Sequence, residues 1–197
     1  MVNKVLGIYG SPRKGGNSDL LLDKALEGAA KAGAEVKRVY ARKLAMCGCL
    51  ECGGCDESGE CVVRDDMDQV YPLFDWAEVI ILAGPIFFYS LPAQVKAVID
   101  RAQAHWSRRL LTKPKAEWSH YGGGTGYLIA VGATKGKNLF DASELTARYF
   151  FDALDMAYGG GLFFRQVEKK GDIAARPDEQ LRAEEFGRQA VEAPAGG

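Results

Sequence analysis

Lys4-Val5-Leu6-Gly7-Ile8-Tyr9-Gly10-Ser11-Pro12-Arg13-Lys14-Gly15-Gly16-Asn17-Ser18 decides how the rest of the chain is read. A short apolar run that ends on a glycine is a buried-strand signature. Ser11 to Asn17 is rich in Gly, Ser and Pro and predicts a loop. Ser18 to Lys31 predicts a helix, because Leu22, Ala25, Leu26, Ala29 and Ala30 recur at helical spacing. A strand, a glycine-rich turn and a helix in this order aim backbone N–H groups and the positive helix end at one point, which suits an anion. Ser11, Asn17 and Ser18 add neutral donors and Arg13 a forked cation, enough to envelop one phosphate group. A plain turn with Asn17 or Ser18 as helix N-cap is the simpler reading. The loop is not a Walker A sequence, since Gly16 and Asn17 stand where Lys and Ser/Thr are needed, and it lacks G-x-G-x-x-G.

Outward from this unit the pattern repeats. Glu35–Tyr40, Glu78–Gly84, Tyr127–Val131 and Gly161–Val167 predict further strands. Helices are expected over Asp65–Trp76 (interrupted by Pro72), from Pro92 to about Gln103, over Asn138–Met156 and over Pro177–Val191, with a frayed Ala-Pro-Ala-Gly-Gly end. Asp65 and Asp66 fit as charges that open a helix. Asp100-Arg101 is expected to be a surface pair of little weight. His105 to Gly126 shows no clear period, and this segment is expected to be a lid or an oligomer contact. His105 and His120 are expected in surface or loop roles. The alternation predicts an α/β fold: a doubly wound five-stranded parallel sheet of order 2-1-3-4-5 in one domain, residues 1–197, with a cysteine-rich loop at 41–64 after the second strand. At the switch between strands 1 and 3 the binding crevice opens. The second loop there, Gly84-Pro85-Ile86-Phe87-Phe88-Tyr89-Ser90, brings three aromatics. A planar ring system with a phosphate tail suits both loops, and flavin mononucleotide (FMN) fits that description; core packing or a subunit interface is the other use of such aromatics. Gly132, Ala133 and Thr134 lie after strand 4, where they reach the same ligand edge.

The chain has 197 residues, 25 basic and 26 acidic, and is 47% hydrophobic. That composition suits a globular core and gives no electrostatic case for nucleic acid or a lipid surface as partner. No apolar run is long enough to span a membrane, and no signal-peptide h-region is present, so a cytoplasmic location is expected. All five cysteines fall between Cys47 and Cys61. Cys49, Cys52 and Cys55 form C-x2-C-x2-C, like the first three ligands of bacterial ferredoxin runs, and Cys61 would be the fourth. Zinc comes second, because it usually takes two separated C-x2-C pairs. A Cys52/Cys55 redox dithiol comes third, and idle thiols last. Cys47 is left over, either replacing Cys49 or remaining a free thiol.

Together, GSPRKGGNSDLLL, CLECGGCDESGECVVRDDM and GPIFFYSLPAQVKAVIDR resemble the iron–sulfur flavoproteins, a branch of the flavodoxin-like NADPH-dependent FMN reductases. The resemblance runs to about residue 172. It implies that Ser11, Arg13, Asn17 and Ser18 bind the FMN phosphate, and that Pro85, Ile86, Phe87, Phe88, Tyr89 and the Gly132–Thr134 loop border the isoalloxazine. It implies that Cys49, Cys52, Cys55 and Cys61 ligate a [4Fe–4S] cluster, expected to be oxygen-labile because so glycine-rich a loop shields it poorly. Homodimers or homotetramers are implied, as is electron flow between a ferredoxin-like or NAD(P)H donor and a small-molecule acceptor. No catalytic side chain is expected. A cluster-free NAD(P)H-dependent FMN or quinone reductase is the alternative enzyme, and a flavin- or metal-binding redox sensor the alternative outside catalysis.

Overall fold

In a computed structural model that describes residues 3–192, five parallel strands run in the order β2-β1-β3-β4-β5. They are β1 (Lys4–Tyr9), β2 (Glu35–Tyr40), β3 (Val79–Pro85), β4 (Thr125–Val131) and β5 (Ala157–Phe164). The helices are α1 (Asn17–Lys31), α2 (Met67–Trp76), α3 (Ala93–Asp100), α4 (Gln103–Thr112), α5 (Asp141–Ala153) and α6 (Pro177–Glu192). This is the predicted order and class. The Ala-Pro-Ala-Gly-Gly end lies outside the described residues.

Because successive strand side chains point to opposite faces, the central strands feed two separate cores. Leu6, Ile8, Ile80, Leu82, Leu128 and Ala130 pack under α2, α3 and α5. Val5, Tyr9, Ile81, Ala83, Ile129 and Val131 pack under α1 and α6. Burial on both faces explains why these strands read as continuous apolar runs. None of the described helices is long and apolar enough to cross a membrane.

Several boundaries differ from the sequence expectation. The helix expected from Pro92 to Gln103 stops at Asp100, and a separate helix, α4, occupies the first part of the segment that showed no period. The buried face of α4 is largely polar (Ala104, His105, Ser107 and Arg109), so it carries no apolar stripe. Its partners are charges elsewhere in the chain. Arg109 reaches the Asp152 carboxylate at 2.8 Å, and Lys113 reaches Asp155 at 2.7 Å. His105, expected on the surface, is buried, with Nε2 3.2 Å from Asp75 Oδ1. Asp100 and Arg101 do not pair: Asp100 takes Lys96, and Arg101 is 1% exposed against Asp65. β5 begins four residues before the predicted Gly161. The space a side chain would fill at Gly159 is taken by the Tyr127 ring, and at Gly161 by Phe163. The last two strands therefore trade side chains for aromatic rings laid across them. α2 begins at Met67 and runs through the exposed Pro72 without ending there, while α5 is shorter at both ends than expected.

α1 and α6 meet backbone to backbone. A Cβ at Gly187 would overlap the Ala25 carbonyl, and one at Gly28 the Glu184 carbonyl. Helix propensity alone would make Gly187→Ala stabilising by about 1 kcal/mol. The close approach reverses the sign, and a net loss of about 1–3 kcal/mol is expected from urea unfolding. A gain in stability would show that the two helices are free to separate.

The hydrogen bond from His105, opposed by partial burial and aided by Arg108, holds the Asp75 carboxyl well below the usual carboxylate range. A depressed carboxylate adds stability above its unfolded value, about pH 4, and loses it as pH falls through the folded value. Asp75→Asn should therefore lower Tm at neutral pH, and the gap to the wild type should close progressively in acid below about pH 4. Thermal melts across that range check it, and a pH-independent gap would contradict it.

Candidate flavin and cysteine sites

The ends of β1 and β3 are joined by Gly10 N donating to the Ala83 carbonyl at 2.7 Å. Both predicted loops leave from this point. They enclose a cavity of about 230 Å³ lined by Ser11, Pro12, Arg13, Gly16, Asn17, Ser18, Pro85, Phe87, Val131, Ala133, Val167 and Glu168. Of the residues expected there, Ser11, Arg13, Asn17, Ser18, Pro85, Phe87 and Ala133 line it. Ile86, Phe88, Tyr89, Gly132 and Thr134 do not. Ile86 packs against the core, and Gly132 is filled by Leu139.

The N-cap of α1 is Gly16, not Asn17 or Ser18, and no side chain caps the helix. The first N–H groups of α1 therefore open onto the cavity without an intrahelical partner. Asn17 does something the sequence did not announce. Its Nδ2 donates to Lys169 O at 2.8 Å, and its Oδ1 accepts from Gly171 N and Ile173 N, both at 3.2 Å. Its amide thus fastens the loop after β5 to the glycine-rich turn. Gly15 takes the left-handed region at φ 62, and a Cβ at Gly16 would crowd Ser11 Oγ. Both features keep the turn tight and its floor open, which fits a phosphate.

Arg42 was not expected here. It bridges to Asp19 at 3.0 Å and donates to Ser11 O at 3.2 Å. Asp19 also accepts from Gly15 N at 3.0 Å. The Arg42 pair draws toward itself an acidic side chain that would otherwise repel a phosphate at the same helix end. Burial pushes the Asp19 carboxyl up, against the pull of Arg42. No local motif marks Arg42; only the parallel pairing of β1 and β2 brings it alongside.

Phe87 to Ser90 close a tight turn. Phe87 N donates to Ser90 O at 2.8 Å, and Ser90 N donates back to Phe87 O at 2.9 Å. Phe88 and Tyr89 sit at φ 49 and 62, where bulky side chains are uncommon. Such strain costs about 1–3 kcal/mol per residue and clusters at ligand-binding sites. Its result here is a fully exposed Phe88 ring beside the cavity mouth.

The cysteine loop lies against α3 and α4. Cys49, Cys52, Cys55 and Cys61 line one cavity of about 650 Å³ together with Asp100, Arg101 and Gln103; Cys47 does not line it. Cys47 points instead to Asp65 and Arg101, its sulfur 3.9 Å from Arg101 Nη1. Glu51 N donates to Cys49 Sγ at 3.4 Å, and Cys55 Sγ lies 3.4 Å from Ser107 Oγ. Burial, with the neighbouring Cys61, pushes the Tyr71 phenol up. Among the described residues, no three His, Cys, Asp or Glu side chains converge at metal-ligand spacing. The donor set is nonetheless suited to a thiolate-bound group: four sulfurs around one space, N–H and O–H groups directed at them and a buried cation at the wall.

A family model for NADPH-dependent FMN reductase matches residues 3–161. An iron–sulfur flavoprotein of Archaeoglobus fulgidus is 41% identical over 108 residues, 55% of this chain and 49% of that protein. The chain thus spans about half the length of this first relative. An iron–sulfur flavoprotein of Methanocaldococcus jannaschii is 31% identical over 161 residues, 81% of this chain and 77% of that one. The fold is similar to an NAD(P)H:quinone oxidoreductase from Methanothermobacter marburgensis, with a TM-score of 0.69, 15% identity and 96% of each chain covered. With the phosphate-type turn, the strained aromatic turn and the four-cysteine cavity on one scaffold, the chain belongs to the NADPH-dependent FMN reductase family, among its iron–sulfur flavoproteins.

Proposed function

We propose that the protein is an FMN-dependent electron-transfer oxidoreductase in which Cys49, Cys52, Cys55 and Cys61 hold a [4Fe–4S] cluster. The observation that carries this reading is that these four cysteines, and not Cys47, line one cavity beside a buried arginine. FMN takes up two electrons and releases them singly, whereas a cubane passes one at a time, so together they couple a nicotinamide or ferredoxin-like donor to a small acceptor. Ser11, Arg13, Ser18 and the opening N–H groups of α1 bind the phosphate. Asn17 holds the cavity wall through the loop after β5. Pro85, Phe87 and Ala133 border the ring and exclude water from one of its faces. No side chain acts as nucleophile or general base. The exposed Phe88 supports assembly with a second copy, as a homodimer or homotetramer, over the open side of this site.

Anaerobically purified protein is expected to show flavin bands over a broad brown background, with about four irons and four sulfides per chain. Serine at Cys49, Cys52, Cys55 or Cys61 should lower the iron content, and Cys47→Ser should leave it intact. Flavin bands without iron would replace the proposal with a cluster-free NAD(P)H-dependent reductase.

Arg13→Ala should weaken FMN binding about 10–100-fold, the size of one hydrogen bond to a charged group. Riboflavin, which lacks the phosphate, should bind wild type and variant alike. Equal loss for both ligands, read by flavin fluorescence quenching, would remove Arg13 from the phosphate site.

A further inference from the structure

Arg101 heads the largest fully buried side chains of the protein. A guanidinium has five N–H donors, and all five are used. Nη1 donates to Asp65 Oδ2 at 2.7 Å and to Cys47 O at 3.1 Å. Nη2 donates to Asp65 Oδ1 and to Val63 O, both at 3.2 Å. Nε donates to the Tyr71 hydroxyl at 3.1 Å. Cys47 opens the cysteine loop, and Val63 and Asp65 close it, so one side chain grips both ends. The neighbouring bonds tighten the same neck: Asp66 Oδ2 accepts from Ala45 N at 2.7 Å, and Asp65 Oδ2 from Cys47 N at 3.4 Å. Tyr71 accepts from Arg101 and lines one cavity with Cys61.

Stability does not account for this arrangement. An apolar pair of similar volume would stabilise the fold as well as a buried ion pair or better. What the apolar pair could not do is hold two loop ends at a fixed spacing or place a positive charge at the wall of the cysteine cavity, which Arg101 itself lines.

We propose that Arg101 is the positioning residue of the cysteine loop. It sets the span of the loop's ends, so that Cys49, Cys52, Cys55 and Cys61 line one cavity before any metal arrives. It also places a buried positive charge at the wall of that cavity. The second role rests on the proposed cluster ligation by these cysteines. A positive charge beside a thiolate-bound cluster favours its more negative, reduced state and raises its potential.

The test uses full-length protein purified without oxygen: the wild type, the paired variant Arg101→Leu with Asp65→Leu, and Arg101→Lys. The paired variant leaves no buried charge unpaired, so it should keep its circular dichroism and its FMN. In iron-free protein, proteolysis within residues 41–64 should be about tenfold faster in the paired variant than in the wild type, and iron loss from loaded protein to a chelator should accelerate by about tenfold or more. Arg101→Lys keeps the charge and loses the fork, so it should also be cut faster but hold a near-wild-type cluster potential. The paired variant removes the cation that lines the cavity, so its cluster should show a more negative potential in a dye-coupled titration. Wild-type cleavage and iron retention in the paired variant would overturn the positioning role, and should that variant fail to fold, the same result in Arg101→Lys would overturn it. An unchanged potential in the paired variant would overturn the electrostatic role. If the wild type takes up no iron, the cluster reading fails and the electrostatic role with it. The cleavage comparison on iron-free protein then still decides whether Arg101 orders the loop.

Discussion

Parallel pairing of β1 with β3 is the constraint on which everything else in this protein depends. Parallel strands have no tight hairpin between them, so each must be followed by a loop and a helix that return across a face of the sheet. Two such strands side by side, with their partners on opposite flanks, send their loops apart over the same edge. The last rung, Gly10 N to Ala83 O, marks where they separate. Gly10 has no room for a side chain: a Cβ there would crowd the Ala83 carbonyl and Val95. One loop brings unsatisfied N–H groups and the other a strained aromatic turn, and both line the one cavity between them.

The same topology explains what was legible in the sequence. β1, its glycine-rich turn and α1 announce themselves because each obeys a local rule: an apolar run, turn residues and a helical stripe. The cysteine motif is equally local, four sulfurs within Cys49–Cys61. Arg101 is not local. Its neighbour Asp100 suggested a surface pair, whereas its carboxylate partner lies 36 positions away in Asp65. Arg42, which pairs with Asp19 beside the glycine-rich turn, is likewise identified only by strand pairing. α4 escaped notice for a related reason: a helix whose buried face is polar has no hydrophobic period to detect, and the groups that satisfy it (Asp75, Asp152 and Asp155) sit on other elements.

Charge is thus handled in two ways in one fold. On the α1 side, Arg42 draws a carboxylate away from the helix end. On the α3–α4 side, carboxylates pair with buried cations that carry structural load. Arg101 leaves no donor unused, as the cost of an unpaired buried charge requires.

The glycine contact between α1 and α6 bears on where this molecule can be cut or joined. The match to the family model ends at residue 161, inside β5. Yet α6 begins at Pro177, and its Ala183, Ala190 and Val191 complete the core above Val5 and Ile81. The matched span is therefore shorter than the unit of folding. A fusion or truncation placed at its end would strip one wall from the sheet and uncover the face against which α1 lies, and α1 is the helix whose first turn lines the cavity between the β1 and β3 loops.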